Sequence, residues 1–157
     1  MIRKSLVAAS LVLAGNAQAQ SGNITLLMNM PVYQFVRETN HAHSICELIE
    51  LSYWSEIQMR SYGKGNPESE YRELVSCIRR QKDAPREKLL AALKYLSDKP
   101  ASSKALKEFY LKWTASLESM APGDREAEKA HSERKRKAID TLKESQRALE
   151  LELELGM

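Results

Sequence analysis

KALKEFYLKWTASLESM, residues 104–120, carries Leu106, Phe109, Tyr110, Trp113, Leu117 and Met120 at spacings of three and four residues. Side chains so spaced share one face of an α-helix, so the stretch predicts a helix with a wide apolar stripe. Burying each of these side chains stabilises a fold by roughly 1.5–3 kcal/mol before entropy is counted. Such a stripe needs other helices to cover it, which argues for a bundle and for a core rather than a cofactor box.

The neighbouring segments supply those helices. Leu89, Ala92, Leu93 and Leu96 form a thinner stripe in REKLLAALKYLSD, opened by Asp83 and Pro85, and Tyr71, Leu74, Val75 and Ile78 form another upstream. Asn66 followed by Pro67 is an N-cap and first-turn pair for that earlier helix, which continues to about Gln81. SDKPASS ends the third helix and offers serine caps to the fourth, and APGD precedes a long fifth segment. A first helix is expected from Ser44 to Tyr62, with Gly63 suited to a left-handed cap. ITLLMNMPVYQFV, from Ile24 to Val36, is apolar but fits a packed extended arm, a short strand or a short helix. The fold class is therefore all-α: a compact bundle of four to five helices with a long charged C-terminal helix and one disulfide.

The chain opens with a processing segment. Arg3 and Lys4 form a basic start, Leu6 to Gly15 is an apolar run too short to span a bilayer, and Ala17-Gln18-Ala19 is a small-x-small cleavage pattern. Cleavage is expected before Gln20, giving a periplasmic or secreted protein. LAGN has Asn16 where a lipoprotein box needs cysteine, so no lipid anchor is expected, and no later segment is apolar enough to span a membrane. The organisation follows: residues 1–19 cleaved, 20–43 an N-terminal arm, 44–120 the bundle core, and 121–157 a long C-terminal helix packed on the bundle or projecting from it.

Charge narrows the partners. The chain holds 24 basic and 21 acidic residues, and losing Arg3 and Lys4 leaves 22 against 21. A nearly neutral mature chain gives no electrostatic case for nucleic acid. The local run ERKRK, Glu133 to Lys137, has a solvated helix face as its simplest explanation.

HAHSIC, residues 41–46, concentrates the candidate chemistry. His41, His43 and Cys46 are ligand types for zinc or copper, but on a helix only His43 and Cys46, three apart, share a face. His131, the remaining histidine, lies far along the chain. A cysteine nucleophile would need a histidine base and an oxyanion hole, and no signature of the latter is present. Paired thiols in an oxidising compartment point instead to a Cys46–Cys77 disulfide. An ideal hairpin of the first two helices leaves the two cysteines roughly 9 Å out of register at 1.5 Å per residue, so a shorter helix, a rising loop or a staggered crossing is required.

GKGNP lacks the frame of a phosphate loop, and glutamates among lysines at helical spacing single out no acid–base pair. The sequence thus points away from an enzyme and toward a non-enzymatic interaction, adaptor or chaperone-like module, with no cofactor and an unidentified protein partner. Trp54 lies away from Ile45, Leu48 and Ile49 on a helical wheel, so it is either covered by the N-terminal arm or part of a binding surface. Ile139, Leu142, Gln146, Leu149 and Leu153 keep a heptad-like seam, while LELELEL sets Leu151 and Leu155 on nearly the opposite side. That second stripe is a candidate partner contact, or a site of self-association through the C-terminal helix. The alternative is a metal- or thiol-dependent protein built on His43 and Cys46, with His41 as a further ligand.

Overall fold

The computed structural model describes residues 30–156, so the expected processing segment, 1–19, and residues 20–29 of the expected arm lie outside the described residues. Among the described residues five helices follow one another: α1 Pro31–Arg60, α2 Pro67–Asp83, α3 Arg86–Tyr95, α4 Pro100–Glu118 and α5 Glu128–Leu155. The described residues contain no strand. The all-α bundle expected from the stripes is the fold.

The cross-links between helices give its topology. Cys46 joins Cys77 and Glu38 meets Lys88, so α2 and α3 both run antiparallel to α1 in nearly one register. They behave as a single rod broken at Ala84-Pro85, where proline cannot supply the N–H that a continuous helix needs. Phe109 packs edge-on against Phe35, and the Trp113 indole donates to the Thr39 carbonyl at 2.9 Å, so α4 runs parallel to α1 across the bundle. Ser102 on α4 donates to the Glu152 carbonyl of α5 at 3.1 Å, which closes an up-down-up-down set of four rods. Leu106, Phe109, Trp113, Leu117 and Met120 are all fully buried at its centre.

Several expectations need correction. The first helix starts at Pro31, not Ser44, because Pro31 takes the first-turn position where a missing N–H costs nothing. HAHSIC is therefore mid-helix rather than a helix entrance, and residues 31–43 belong to the bundle, not to an arm. Thr39 and Ser44 return their hydroxyls to the Val36 and Asn40 carbonyls within that helix. The fourth helix is opened by Pro100 with Lys99 as its uncapped boundary; Ser102 is buried against α5 instead of capping. Tyr71, placed in the α2 stripe, is exposed, whereas Leu74 and Ile78 are buried.

The disulfide forms across α1 and α2 with a Cα–Cα distance of 5.7 Å. Its register is set by the turn. The Asn66 N–H donates to the Glu56 carboxylate at 2.6 Å, so α2 begins level with Glu56 rather than with the end of α1. Ten residues then separate Cys46 from Glu56, and ten separate Pro67 from Cys77. Gly65 permits the fold-back: its φ is 101°, and a Cβ there would lie 2.6 Å from the Glu56 carbonyl oxygen.

Candidate functional site

α1 and α5 run antiparallel, each close to thirty residues long. On α1 the buried seam is Val32, Phe35, Thr39, Ala42, Cys46 and Glu50, at spacings of three and four. A carboxylate thus occupies a core position, and the same happens opposite. The α5 seam of Leu153, Leu149 and Leu142 continues toward its start through Lys135 and His131, and His131 is 1 % exposed. Continuing the leucine seam backward brings these polar residues inward.

They meet in one network. His131 Nε2 lies 2.8 Å from Glu50 Oε1, and Lys135 Nζ donates to Glu50 Oε2 at 2.8 Å and to Glu47 Oε1 at 3.1 Å. The Arg134 guanidinium lies 3.0 Å from His131 Nδ1. A guanidinium only donates, so Nδ1 accepts and Nε2 carries the hydrogen toward Glu50. Arg134 also grips the Glu126 carboxylate at 2.7 Å and donates to the Ser119 and Ala121 carbonyls, tying the end of α4 to the start of α5. No buried side-chain nitrogen or oxygen among the described residues lacks a partner.

Charge states follow from these contacts. The Arg134 hydrogen bonds, with the Gly123 N–H, hold the Glu126 carboxyl down at about 2. Burial opposes the charge on Lys135, but its hydrogen bonds to Glu50 and Glu47 outweigh this and raise its pKa. Burial pushes the His43 imidazole below its ordinary value, with Glu47 opposing and Lys135 reinforcing the effect.

HAHSIC does not assemble as one centre. Cys46 is bonded to Cys77 toward α2, whereas His43 Nε2 lies 3.1 Å from Ser116 Oγ on α4, and His41 is exposed. The sulfur that a metal- or thiol-dependent site would use is therefore occupied by the disulfide. Among the described residues, no three His, Cys, Asp or Glu side chains converge as metal ligands would.

The network underlies a surface groove. Trp54 is half-buried, its ring 5.2 Å from His131 and 5.0 Å from Tyr53, so α5 rather than residues 31–43 covers it. A groove of about 440 Å³ runs between Leu51 and Trp54 on α1 and Lys135, Ile139 and Lys143 on α5. A second hollow of about 290 Å³, beside His43 and Gln146, shares Ile139 and Lys143 with it and extends the groove along the seam. Leu51 in the groove's lining is exposed, and Leu48 and Met59 are exposed on the same helix.

The terminal leucines divide by face: Leu149 and Leu153 are buried, while Leu151 and Leu155 are 55 % and 74 % exposed. They do not join Trp54 in one surface. Twenty residues of α5, roughly 30 Å of helix, separate Leu151 from His131, against which Trp54 rests. Comparisons with protein-family models, curated proteins and solved structures return no match for this chain.

Proposed function

We propose that the protein is an exported, non-enzymatic interaction module that receives a segment of a partner protein along the α1–α5 groove. The carrying observation is the exposed Leu51 beside a half-buried Trp54 in a groove also lined by Ile139, with Leu48 and Met59 exposed elsewhere on the same helix. Large apolar side chains beside an aromatic anchor are what recognition surfaces display. The titratable groups beneath are paired with one another, as a scaffold holding two helices in register requires. Cleavage before Gln20 and delivery to the periplasm or exterior accord with the disulfide and with the absence, among the described residues, of any helix long and apolar enough to cross a membrane.

A second contact at Leu151 and Leu155 is supported by their exposure on the face of α5 opposite its buried seam. It would serve a separate partner or a second copy of the chain.

A photo-crosslinking residue placed at Leu51, at Leu155 and, as a contrast, at the similarly exposed Leu111 of α4 tests both contacts in the exported protein. We expect a covalent adduct with a discrete cellular protein from position 51 that weakens when Trp54 is replaced by alanine. Equal adducts from 51 and 111, or none from 51, would refute the groove. An adduct from 155 alone would transfer the function to the end of α5. Deleting Leu149–Met157 is a poor test, because it removes core side chains together with exposed ones.

A further inference from the structure

We infer that the cleft at the turn-bearing end of the bundle is a carboxylate-binding site, fitted to the free C terminus of a peptide with an apolar last side chain. The cleft, of about 520 Å³, lies between the end of α1, the start of α2 and the loop before α5. That volume falls within the usual range for small-ligand sites. It is separate from the α1–α5 groove and stands without the function proposed above.

Its cations are arginines. Arg60 is engaged by Glu68 at 2.7 Å, whereas Arg72 and Arg125 are exposed at the cleft. Arg125 is the one non-glycine residue with positive φ among the described residues, at 55°. A side chain held in this region is strained, and the surroundings must offset that strain. The offset is visible. Glu126, gripped by Arg134, accepts the Gly123 N–H at 2.8 Å, and its own N–H donates to the Gly123 carbonyl at 3.1 Å. The same guanidinium lies 3.0 Å from His131 Nδ1, so the loop that holds Arg125 is fastened to the buried network through Arg134. An interior polar cluster thus maintains an otherwise disfavoured backbone that sets a guanidinium at the cleft.

The remaining lining selects the ligand. Tyr53 and Tyr71 have ring centroids 5.9 Å apart and planes inclined at 55°, a packed pair rather than a flat stacking platform. The two rings pack on each other and, with Ile57, Pro67 and Pro122, give the cleft an apolar wall against which one apolar side chain can rest. Asp124 adds a carboxylate able to accept a peptide N–H. Two exposed guanidiniums, Arg125 and the Arg72 that shares Glu68 with Arg60, complement with one acceptor a peptide's terminal carboxylate and its neighbouring amide. A polyanion would meet repulsion from Asp124 and Glu68.

The test is calorimetric titration of the mature, disulfide-intact protein with Ala-Ala-Phe as the free acid and as the C-terminal amide. The acid should bind at least roughly tenfold more tightly, the usual scale of one charge-assisted contact. Arg72→Gln should weaken the acid by a similar factor and leave the amide unchanged. Arg125→Gly should do the same, and because glycine adopts positive φ without strain it removes the guanidinium without unfolding the loop. Equal binding of acid and amide, no binding of the acid at millimolar concentration, or unchanged affinity in Arg125→Gly would each overturn the assignment.

Discussion

α1 faces α5 through side chains along much of its length, yet the two halves of that antiparallel pairing are made differently. Toward the start of α1, Val32, Phe35 and Ala42 are buried in the same core as Leu142, Leu149 and Leu153 of α5, with Trp113 of α4 among them. Toward its end, Glu47 and Glu50 face His131 and Lys135. The apolar half gains stability roughly in proportion to the area it removes from water, and its leucines repeat closely enough to tolerate a slip. The ionic half gains little net stability, because desolvation offsets much of the Coulombic attraction. It does discriminate between registers: a one-turn slip of α5 would leave Glu50 with one of its two partners and the other without its carboxylate. The apolar half therefore supplies the stability, and the ionic half fixes the alignment and anchors the loop carrying Arg125.

Trp113→Ala attacks the apolar half and should have the largest effect. It removes a fully buried indole and leaves the Thr39 carbonyl without its donor, so we expect a loss of roughly 5 kcal/mol in denaturant unfolding. Glu50→Ala attacks the ionic half and should cost less, about 3 kcal/mol, since Lys135 keeps Glu47 as a partner. The contrast sharpens when Glu50, His131 and Lys135 are replaced together by Met, Leu and Met. That variant should recover most or all of the stability lost in Glu50→Ala, because no buried charge remains unpaired. If it is instead less stable than the single substitution, the ionic half carries stability and the division proposed here fails.

The apolar half was legible in the sequence and the ionic half was not, for a physical reason. Leu106, Phe109, Trp113, Leu117 and Met120 announce a core because hydrophobic residues are buried by default. Glu50 and His131 are buried only because they find each other 81 residues apart, and nothing local to either records that meeting. One signal was available: with α1 starting at Pro31, the spacing Phe35, Thr39, Ala42, Cys46 leads directly to Glu50. A helix that begins at Ser44 lacks Phe35, Thr39 and Ala42, the part of the stripe that points to Glu50. The disulfide pairing was legible from composition, but its register was not, since the fold-back of Asn66 onto Glu56 depends on a close approach at Gly65. The strain at Arg125 belongs to the same class, for an arginine in a loop gives no sign of its backbone angle.

The smallest of these effects separates the halves by pH. The folded state holds the Glu126 carboxyl at about 2, below its ordinary 4.5. A depressed carboxyl contributes stability that is fully present above its unfolded value and is lost as pH falls toward the folded one. The contribution from Glu126 should therefore be intact at neutral pH and decline between about 4.5 and 2. Glu126→Gln removes the titration, so its unfolding midpoint should lie below that of the parent at pH 7 and approach it toward pH 2. Trp113→Ala, by contrast, should run parallel to the parent across that window, because no titrating group is touched. If the Glu126→Gln and parent curves keep a constant separation from pH 5 to pH 2, Arg134 does not hold Glu126 as described. The ionic half would then lose its claim to anchor the loop.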